Sequence, residues 1–250
     1  MPKRELTADQ WRTRNKVLSR AGLDPGFTVR LGSILERAVA EAPRGSSGDL
    51  VTLDAGCGRR SPLAPFRPRI DRFVGADIHA PDPPPGYLDE FVSVDLCGPG
   101  SAFEEAAFGL IMSNFTMEHF QDPSAALANF ARWLRPGGVL VVTTVNRRHP
   151  FVWTYLNLPP PMRRTLQRSI KASDADAHAL VGACNDPGAI TGAMTTSGFE
   201  RIEIETVGHL ARAWARRWPA FALGVAGDVA ANRFEGRRST IIAVGRKGAN

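Results

Sequence analysis

Short apolar runs and longer amphipathic stretches alternate along the middle of this chain. The apolar runs are typical of buried parallel strands, and they cover residues 51–54, 73–78, 91–94 and 108–114. Helical periodicity covers residues 8–20, 28–42 and 125–134, and the sequence Pro136-Gly137-Gly138 ends the last of these helices. Strands that alternate with helices predict an α/β fold, in which helices cover both faces of a parallel sheet.

The first apolar run ends in an acid and then breaks into a glycine turn, Asp54-Ala55-Gly56-Cys57-Gly58. The two glycines let the backbone turn tightly and let a ligand approach closely. A helix that starts just after the turn would offer its N–H groups to an anion. The carboxylate of Asp54 disfavours a dinucleotide pyrophosphate at this point. It suits a ligand that carries an ammonium group, such as S-adenosylmethionine.

Two further strands are also followed by an acid. Asp77 ends the second strand, about 20 residues after the glycine turn, where an acid can accept hydrogen bonds from ribose hydroxyls. Asp95 follows the third strand. The carboxyl ends of parallel strands meet at one edge of the sheet, and ligands bind at that edge. The sequence therefore predicts three carboxylates along a ligand-binding edge.

These motifs, in this order and spacing, resemble the class I S-adenosylmethionine-dependent methyltransferases. The resemblance extends over residues 48–207, with a last strand near 239–246, and rests on segments at 51–58, 77, 95–96, 108–114, 117–120, 134–140 and 197–199. It implies a doubly wound, Rossmann-like sheet of seven mostly parallel strands, with the last strand antiparallel. One departure is Arg60, which stands where the family often has a third glycine.

The resemblance also implies the cofactor, S-adenosylmethionine, and the residues that hold it at the strand ends. These residues are Asp54, Ala55, Gly56, Gly58, Asp77, Ile78, Asp95, Leu96 and Asn114. It divides a single methyltransferase domain, residues 1–250, into four parts. Residues 1–47 form N-terminal helices, 48–145 the cofactor-binding core, 146–190 a cap over the acceptor pocket, and 191–250 the last two strands with a helical insertion.

The chemistry expected here is methyl transfer from a sulfonium, which requires an acceptor held in line and shielded from water. A hydroxyl acceptor also needs a base. His119 follows the fourth strand and is the best-placed candidate, with Glu118 orienting it or acting on its own. Alternatively, these two residues cap the following helix or bond to the backbone. His149 and His178, in the cap, are further candidates.

A metal-assisted mechanism is less favoured, and metal dependence stays open. Some O-methyltransferases of this superfamily bind a divalent cation through a Glu-x-x-Glu-His segment. Phe115 stands here in place of the first glutamate. Asp174, Asp176 and His178 are conceivable additional ligands, but their spacing is not a dedicated metal pattern.

The favoured acceptor is a small molecule, through a hydroxyl of a sugar, a glycan or a specialised metabolite. A loose similarity of residues 146–150 to bacterial biosynthetic methyltransferases supports it. N-methylation of a small amine remains an alternative. An RNA or protein methyltransferase is favoured only by the net charge of +6. A nicotinamide-dependent dehydrogenase would need a glycine where Ser61 stands. A non-catalytic binding module is disfavoured because the acids and the Glu118-His119 pair are intact.

The remaining expectations concern the compartment and assembly. No apolar run reaches about 18 residues, so no membrane span is predicted. The N-terminus lacks the apolar stretch of a signal peptide, and the three cysteines show no metal or redox spacing. These features favour the cytoplasm. The insertion at residues 208–238 carries Trp214, Trp218 and Phe221, which pack on the cap or form a homodimer face.

Overall fold

The computed structural model describes residues 6–23, 26–99, 102–159, 161–162, 182, 184–234 and 236–248. Within them, the strands are β1 (Val51–Ala55), β2 (Arg72–Asp77), β3 (Glu90–Ser93), β4 (Phe108–Asn114), β5 (Leu134–Val145), β6 (Phe199–Val207) and β7 (Thr240–Lys247). The α-helices are α1 (Ala8–Arg20), α2 (Phe27–Glu41), α3 (Pro123–Trp133), α4 (Pro150–Asn157), α5 (Pro187–Thr196), α6 (Leu210–Ala213) and α7 (Trp218–Asn232). The helices predicted from residues 8, 28 and 125 are confirmed to within two residues at each end.

The strands form one seven-stranded sheet in the order β3-β2-β1-β4-β5-β7-β6. Strand β1 pairs in parallel with β2 and β4, and the pairs β2–β3 and β4–β5 are also parallel. The last strand runs antiparallel, so the predicted fold class is confirmed. The strand order reverses between β1 and β4, and such a switch point opens a crevice at the carboxyl ends of the strands.

The central strands are buried because helices cover both faces of the sheet. All five residues of β1 are buried, as are six of the seven residues of β4. Helix α3 contributes Phe130 and Trp133 to the core, and both are fully buried. The ring of Phe103 packs edge-on against Trp133 at a centroid distance of 5.0 Å. This apolar core fixes the strand ends that carry the predicted site.

The segment just after the glycine turn is not α-helical. No α-helix forms between β1 and β2, all of which the structure describes; instead a 3-10 helix, Ala64–Arg69, begins well after the turn. Pro62, Pro65 and Pro68 explain the difference, because each proline removes an N–H donor and clashes with the preceding helical turn. The turn therefore presents loop N–H groups rather than a helix end.

The chain divides into two compact units. The first, here named the accessory unit, comprises Met1–Val29, Val145–Leu180 and Thr206–Thr240. The second, named the sheet unit, comprises Arg30–Thr144, Val181–Glu205 and Ile241–Asn250. The functional division at residues 47, 145 and 190 stays a prediction.

The accessory unit has its own apolar core, in which Leu18 of α1 packs with Ala211, Ala215 and Phe221. Helix α4 fits against α7 because Gly227 lacks a side chain; an added Cβ there would clash with the ring of Phe151. Of the predicted cap, residues 160, 163–181 and 183 lie outside the described residues. Every helix within the described ranges is too short or too polar to span a bilayer.

Candidate functional site

The glycine turn after β1 is anchored to the end of β2. The N–H groups of Gly56 and Cys57 both donate to the carbonyl oxygen of Ala76, over 2.7 and 3.1 Å. Gly56 has a φ of +80° and Gly58 a φ of +47°, in the left-handed region that favours glycine. Arg60 does not share this conformation, so the missing third glycine imposes no backbone strain on the turn.

Asp54 is the most deeply buried acid of the site. Asp54 is the second-last residue of β1, and it is 1% exposed. Neither carboxylate oxygen makes a hydrogen bond within the described part of the chain. Burial raises the pKa of Asp54 to about 7; the nearby Ser61 hydroxyl opposes this shift, and the Asp77 carboxylate adds to it. A buried carboxylate without a partner is costly, and a cationic ligand group would relieve that cost.

Asp77, at the end of β2, spans the glycine turn and the next loop. Its Oδ2 accepts from the N–H of Gly58 over 3.1 Å, and its Oδ1 accepts from the N–H of His79 over 3.1 Å. A carboxylate has roughly four lone-pair sites, so acceptor capacity remains at both oxygens. The side chain of Ile78 beside it is 52% exposed and offers an apolar surface.

The predicted third acid lies in a turn after β3 and is exposed. Asp95 Oδ1 accepts from the N–H of Cys97 over 2.9 Å, while Leu96 is buried in the core. The amide of Asn129 on α3 donates to the carbonyl oxygens of Leu96 and Gly98, over 3.0 and 2.8 Å. This turn is therefore held in place from α3.

The end of β4 is fixed by β5. Thr143 Oγ1 donates to Asn114 Oδ1 over 2.7 Å, and the N–H of Phe115 donates to the Thr143 carbonyl oxygen over 3.0 Å. Phe115 has a φ of +53°, an uncommon conformation for an aromatic residue that persists only where the surroundings impose it. Thr116 lies beside Gly56, where an added Cβ would clash with the threonine side chain.

Glu118 and His119 follow in a short 3-10 helix, Met117–His119. Glu118 is buried, and its Oε2 accepts from Thr144 Oγ1 over 2.8 Å. The amide of Asn185 donates in turn to Thr144 Oγ1 over 2.9 Å. His119, the next residue in the chain, is partly exposed. Glu118 and His119 do not cap the helix that follows. Asp122 caps α3 instead, because its side chain accepts from the N–H of Ala125.

Sequence reasoning missed several residues around these positions. Tyr87 carries a buried hydroxyl without a hydrogen-bond partner in the described ranges. Burial, together with the charges of Asp54 and Cys57, raises the pKa of Tyr87 to about 12. Thr144 and Asn185 support Glu118. The only signal for any of these was polar threonine inside the apolar β5 run; nothing in the sequence marked Tyr87.

Cys57 and His149 lie in buried surroundings that suit a structural role. Burial raises the pKa of the Cys57 thiol to about 12, with the charges of Asp54 and Asp77 adding to it, so this thiol is a poor nucleophile. His149 is fully buried in the accessory unit, where its Nδ1 accepts from the N–H of Phe151 at the start of α4.

Within the described ranges, no group of three His, Cys, Asp or Glu side chains is placed to hold a metal ion. The conceivable ligands Asp174, Asp176 and His178 lie outside the described residues.

A family profile described as a methyltransferase domain matches residues 28–221, more than half of the chain. The chain belongs to this family, the class I S-adenosylmethionine-dependent methyltransferases. No curated protein matches the sequence of this methyltransferase.

Several solved structures share the fold of the methyltransferase. Phosphoethanolamine N-methyltransferase 2 of Haemonchus contortus, in complex with phosphomonomethylethanolamine and S-adenosylhomocysteine, is 15% identical with a TM-score of 0.51, covering 86% of this chain and 52% of that one. Geranyl diphosphate C-methyltransferase of Streptomyces coelicolor is 15% identical with a TM-score of 0.54, covering 88% and 76%. The [4+2]-cyclase SpnF is 16% identical with a TM-score of 0.52, covering 88% and 82%. The methyltransferase spans about half the length of the two phosphoethanolamine N-methyltransferase chains that it matches.

Proposed function

We propose that the chain binds S-adenosylmethionine at the edge formed by β1, β2, β3 and β4, and methylates a hydroxyl of a small molecule. The acceptor class is a sugar, a glycan or a specialised metabolite. The observation that carries the proposal is Asp54, a carboxylate that is 1% exposed and without a hydrogen-bond partner among the described residues, beside a glycine turn. An ammonium group would provide the positively charged partner that this carboxylate lacks.

The other strand ends fit the remaining parts of the cofactor. Asp77 retains lone pairs for the two ribose hydroxyls after it accepts from the N–H groups of Gly58 and His79. The exposed side chain of Ile78 suits apolar contact with an adenine. The turn at Asp95 and Leu96 suits the same adenine because its backbone is held in place. S-adenosylmethionine, when bound, supplies an electrophilic methyl group on a sulfonium. Asn114, whose side-chain Oδ1 accepts from Thr143 Oγ1, ends the fourth strand at this edge.

His119 is the proposed base. It lies partly exposed directly after Glu118, whose carboxylate is oriented by Thr144. A neutral imidazole accepts the proton of the acceptor hydroxyl, and the Glu118 carboxylate stabilises the imidazolium that results. Thr144 and Asn185 are positioning residues, because they act only through the Glu118 carboxylate.

An amine acceptor is the second candidate, favoured by the buried carboxylate of Glu118. An acid beside the acceptor can attract a protonated amine, which must lose its proton before it attacks. One protein of similar fold, a phosphoethanolamine N-methyltransferase, was solved in complex with phosphomonomethylethanolamine. Transfer to RNA or protein has no comparable support from the residues at this edge.

Calorimetry and methyl-transfer assays test the proposal in sequence. S-adenosylhomocysteine should bind with a measurable heat, whereas NAD should not. Transfer of a labelled methyl group is then scored over matched hydroxyl and amine acceptors of the same carbon skeleton. Binding of NAD without S-adenosylhomocysteine would overturn the cofactor assignment. Transfer confined to the amines would overturn the hydroxyl assignment while keeping the cofactor.

A further inference from the structure

Charge is divided unevenly between the two units. The accessory unit contains 18 lysines and arginines against 7 acids, a net charge of +11. The sheet unit contains 13 against 18, a net charge of −5. The accessory unit therefore has an excess of basic residues, and the sheet unit has an excess of acids. A strongly basic unit on an otherwise acidic protein favours an anionic partner.

Helix α7 of the accessory unit presents an apolar face outward. Its inward face is formed by Phe221, Gly224, Gly227, Asp228 and Ala231, all of them buried. The exposed positions recur at the spacing of one helical face and are all apolar: Trp218, Pro219, Ala222, Leu223, Ala226 and Ala230. We name these six residues the α7 stripe. Trp218 and Leu223 are 48% and 50% exposed, so the stripe offers large apolar groups to a partner.

Arginines stand at both ends of the α7 stripe. Arg217 precedes the helix and is exposed, and Arg233 and Arg237 follow it and are also exposed. Phe234, between the last two, is 56% exposed. The segment Thr206–Thr240 contains six arginines and two acids, one of which, Asp228, is only 2% exposed. Apolar side chains in the middle and cations at both ends are thus combined on one surface.

We propose that the α7 stripe and its flanking arginines dock the accessory unit on an anionic lipid surface. A helix that lies in the plane of a membrane buries an apolar face at the boundary of the acyl chains and places Lys or Arg among the head groups. The 15 residues of α7 give a contact about 22 Å long. Trp218 is suited to the interface, since tryptophan is enriched at the level of the head groups. The flanking arginines supply the charge complementarity.

Two other occupants fit this surface less well. A second copy of the chain, in a two-fold contact, would bring the arginine clusters of two accessory units together, and like charges across an interface are unfavourable. A nucleic acid would satisfy the arginines, but the alanines and leucine of the stripe give no platform on which bases stack. Only a partner that is both anionic and apolar matches the whole surface.

Vesicle flotation with the full chain tests the proposal. One set of vesicles is pure phosphatidylcholine, and the other contains about one third phosphatidylglycerol. The chain should float with the anionic vesicles alone, and binding should weaken as salt is raised. Leu223→Asp should reduce binding about tenfold. Arg217→Glu and Arg233→Glu, each made as a single variant, should each reduce binding at least fivefold. Leu223→Met should retain binding because it keeps the apolar area.

The matched charge control is Arg37→Glu, an equal change of charge in the sheet unit at an exposed ion pair with Glu203. It should leave flotation unchanged. All substituted side chains are exposed, so circular dichroism should show intact folding. Failure to bind anionic vesicles at low salt would overturn the proposal. So would a dimer in sedimentation analysis that Leu223→Asp dissociates, or binding of an RNA oligonucleotide that competes with the vesicles.

Discussion

The backbone N–H of Gly58 donates a hydrogen bond to the Oδ2 of Asp77 over 3.1 Å. This bond joins the glycine turn after β1 to the acid that ends β2. Two of the sequence motifs are thereby connected directly, and movement of the turn would displace the carboxylate. The two glycines of the turn nevertheless meet different surroundings, so their substitution separates folding from binding.

Gly56→Ala should destabilise the chain much more than Gly58→Ala. Both glycines have a positive φ, which costs a non-glycine residue about 1–3 kcal/mol. At Gly56 an added Cβ also clashes with Thr116, whereas at Gly58 it meets no atom within 4 Å. The loss at Gly56 should therefore exceed that at Gly58 by at least about 1 kcal/mol. Urea unfolding of the two variants measures the difference.

Binding provides the complementary readout for this pair. The open space at Gly58 is where a ligand can approach, so Gly58→Ala should weaken S-adenosylhomocysteine binding although it folds well. Thr116→Gly should restore part of the stability lost in Gly56→Ala, because it removes the clashing atoms. Equal stability losses for the two alanine variants would contradict the assigned turn geometry.

Asp77→Ala should weaken S-adenosylhomocysteine binding by about 1–3 kcal/mol, since it removes charge-assisted bonds to two hydroxyls. Asp77→Asn, which keeps one acceptor oxygen, should lose less. Asp71→Asn is a matched control from the opposite end of β2, where Asp71 accepts from the N–H of Leu50. It should leave affinity unchanged. Calorimetry that finds the same affinity for all three variants would remove Asp77 from the site.

Much of the fold could be predicted because its signals are local. The apolar run that ends in an acid and a glycine turn predicted β1. Helical periodicity predicted α1 with its observed bounds. An α-helix does not follow the turn, because three prolines lie in that segment.

Other parts of the site depend on contacts that no local pattern records. Thr144 is hydrogen-bonded to Glu118, 26 residues away in the sequence, and to Asn185, 41 residues away. Only the folded sheet brings these residues together. Tyr87 reaches the neighbourhood of Asp54 from the loop after β2. Net charge along the chain likewise gave no hint that the basic residues gather on the accessory unit. Tertiary proximity decides all three cases.

His119→Ala should lower turnover on a hydroxyl acceptor by about 10²–10⁴-fold while leaving S-adenosylhomocysteine affinity nearly intact. Added imidazole should restore part of the rate, because it can replace the missing base. On an amine acceptor the same variant should lose little, since positioning then carries most of the rate. If Glu118 and His119 instead hold a metal ion, a chelator should abolish activity and Mg²⁺ should restore it. Full activity on the hydroxyl acceptor without any chelator effect would contradict both roles.

The raised pKa of Asp54 predicts how the stability of the protein without ligand depends on pH. Its pKa of about 7 in the folded chain lies above the ordinary value of 3.8, so between these values the folded state binds more protons than the unfolded state. The free energy of unfolding should therefore fall as pH rises from about 4 to about 7, and this contribution should be constant above that range. Asp54→Asn should remove this dependence and be more stable than the parent at pH 8, by about 2–4 kcal/mol. Thermal unfolding across this range measures both effects.

The same carboxylate should give the opposite trend in ligand binding. The ammonium group of S-adenosylhomocysteine favours the charged form of Asp54, so affinity should rise with pH up to about 7, by at most tenfold per unit. Each binding event at pH 6 should release a proton, which calorimetry in two buffers of different ionisation enthalpy detects. Asp54→Asn should bind weakly, with no proton release, while its stability at high pH is improved. An affinity that is independent of pH from 5 to 7 in the parent protein, with no proton release, would show that the ammonium group does not contact Asp54.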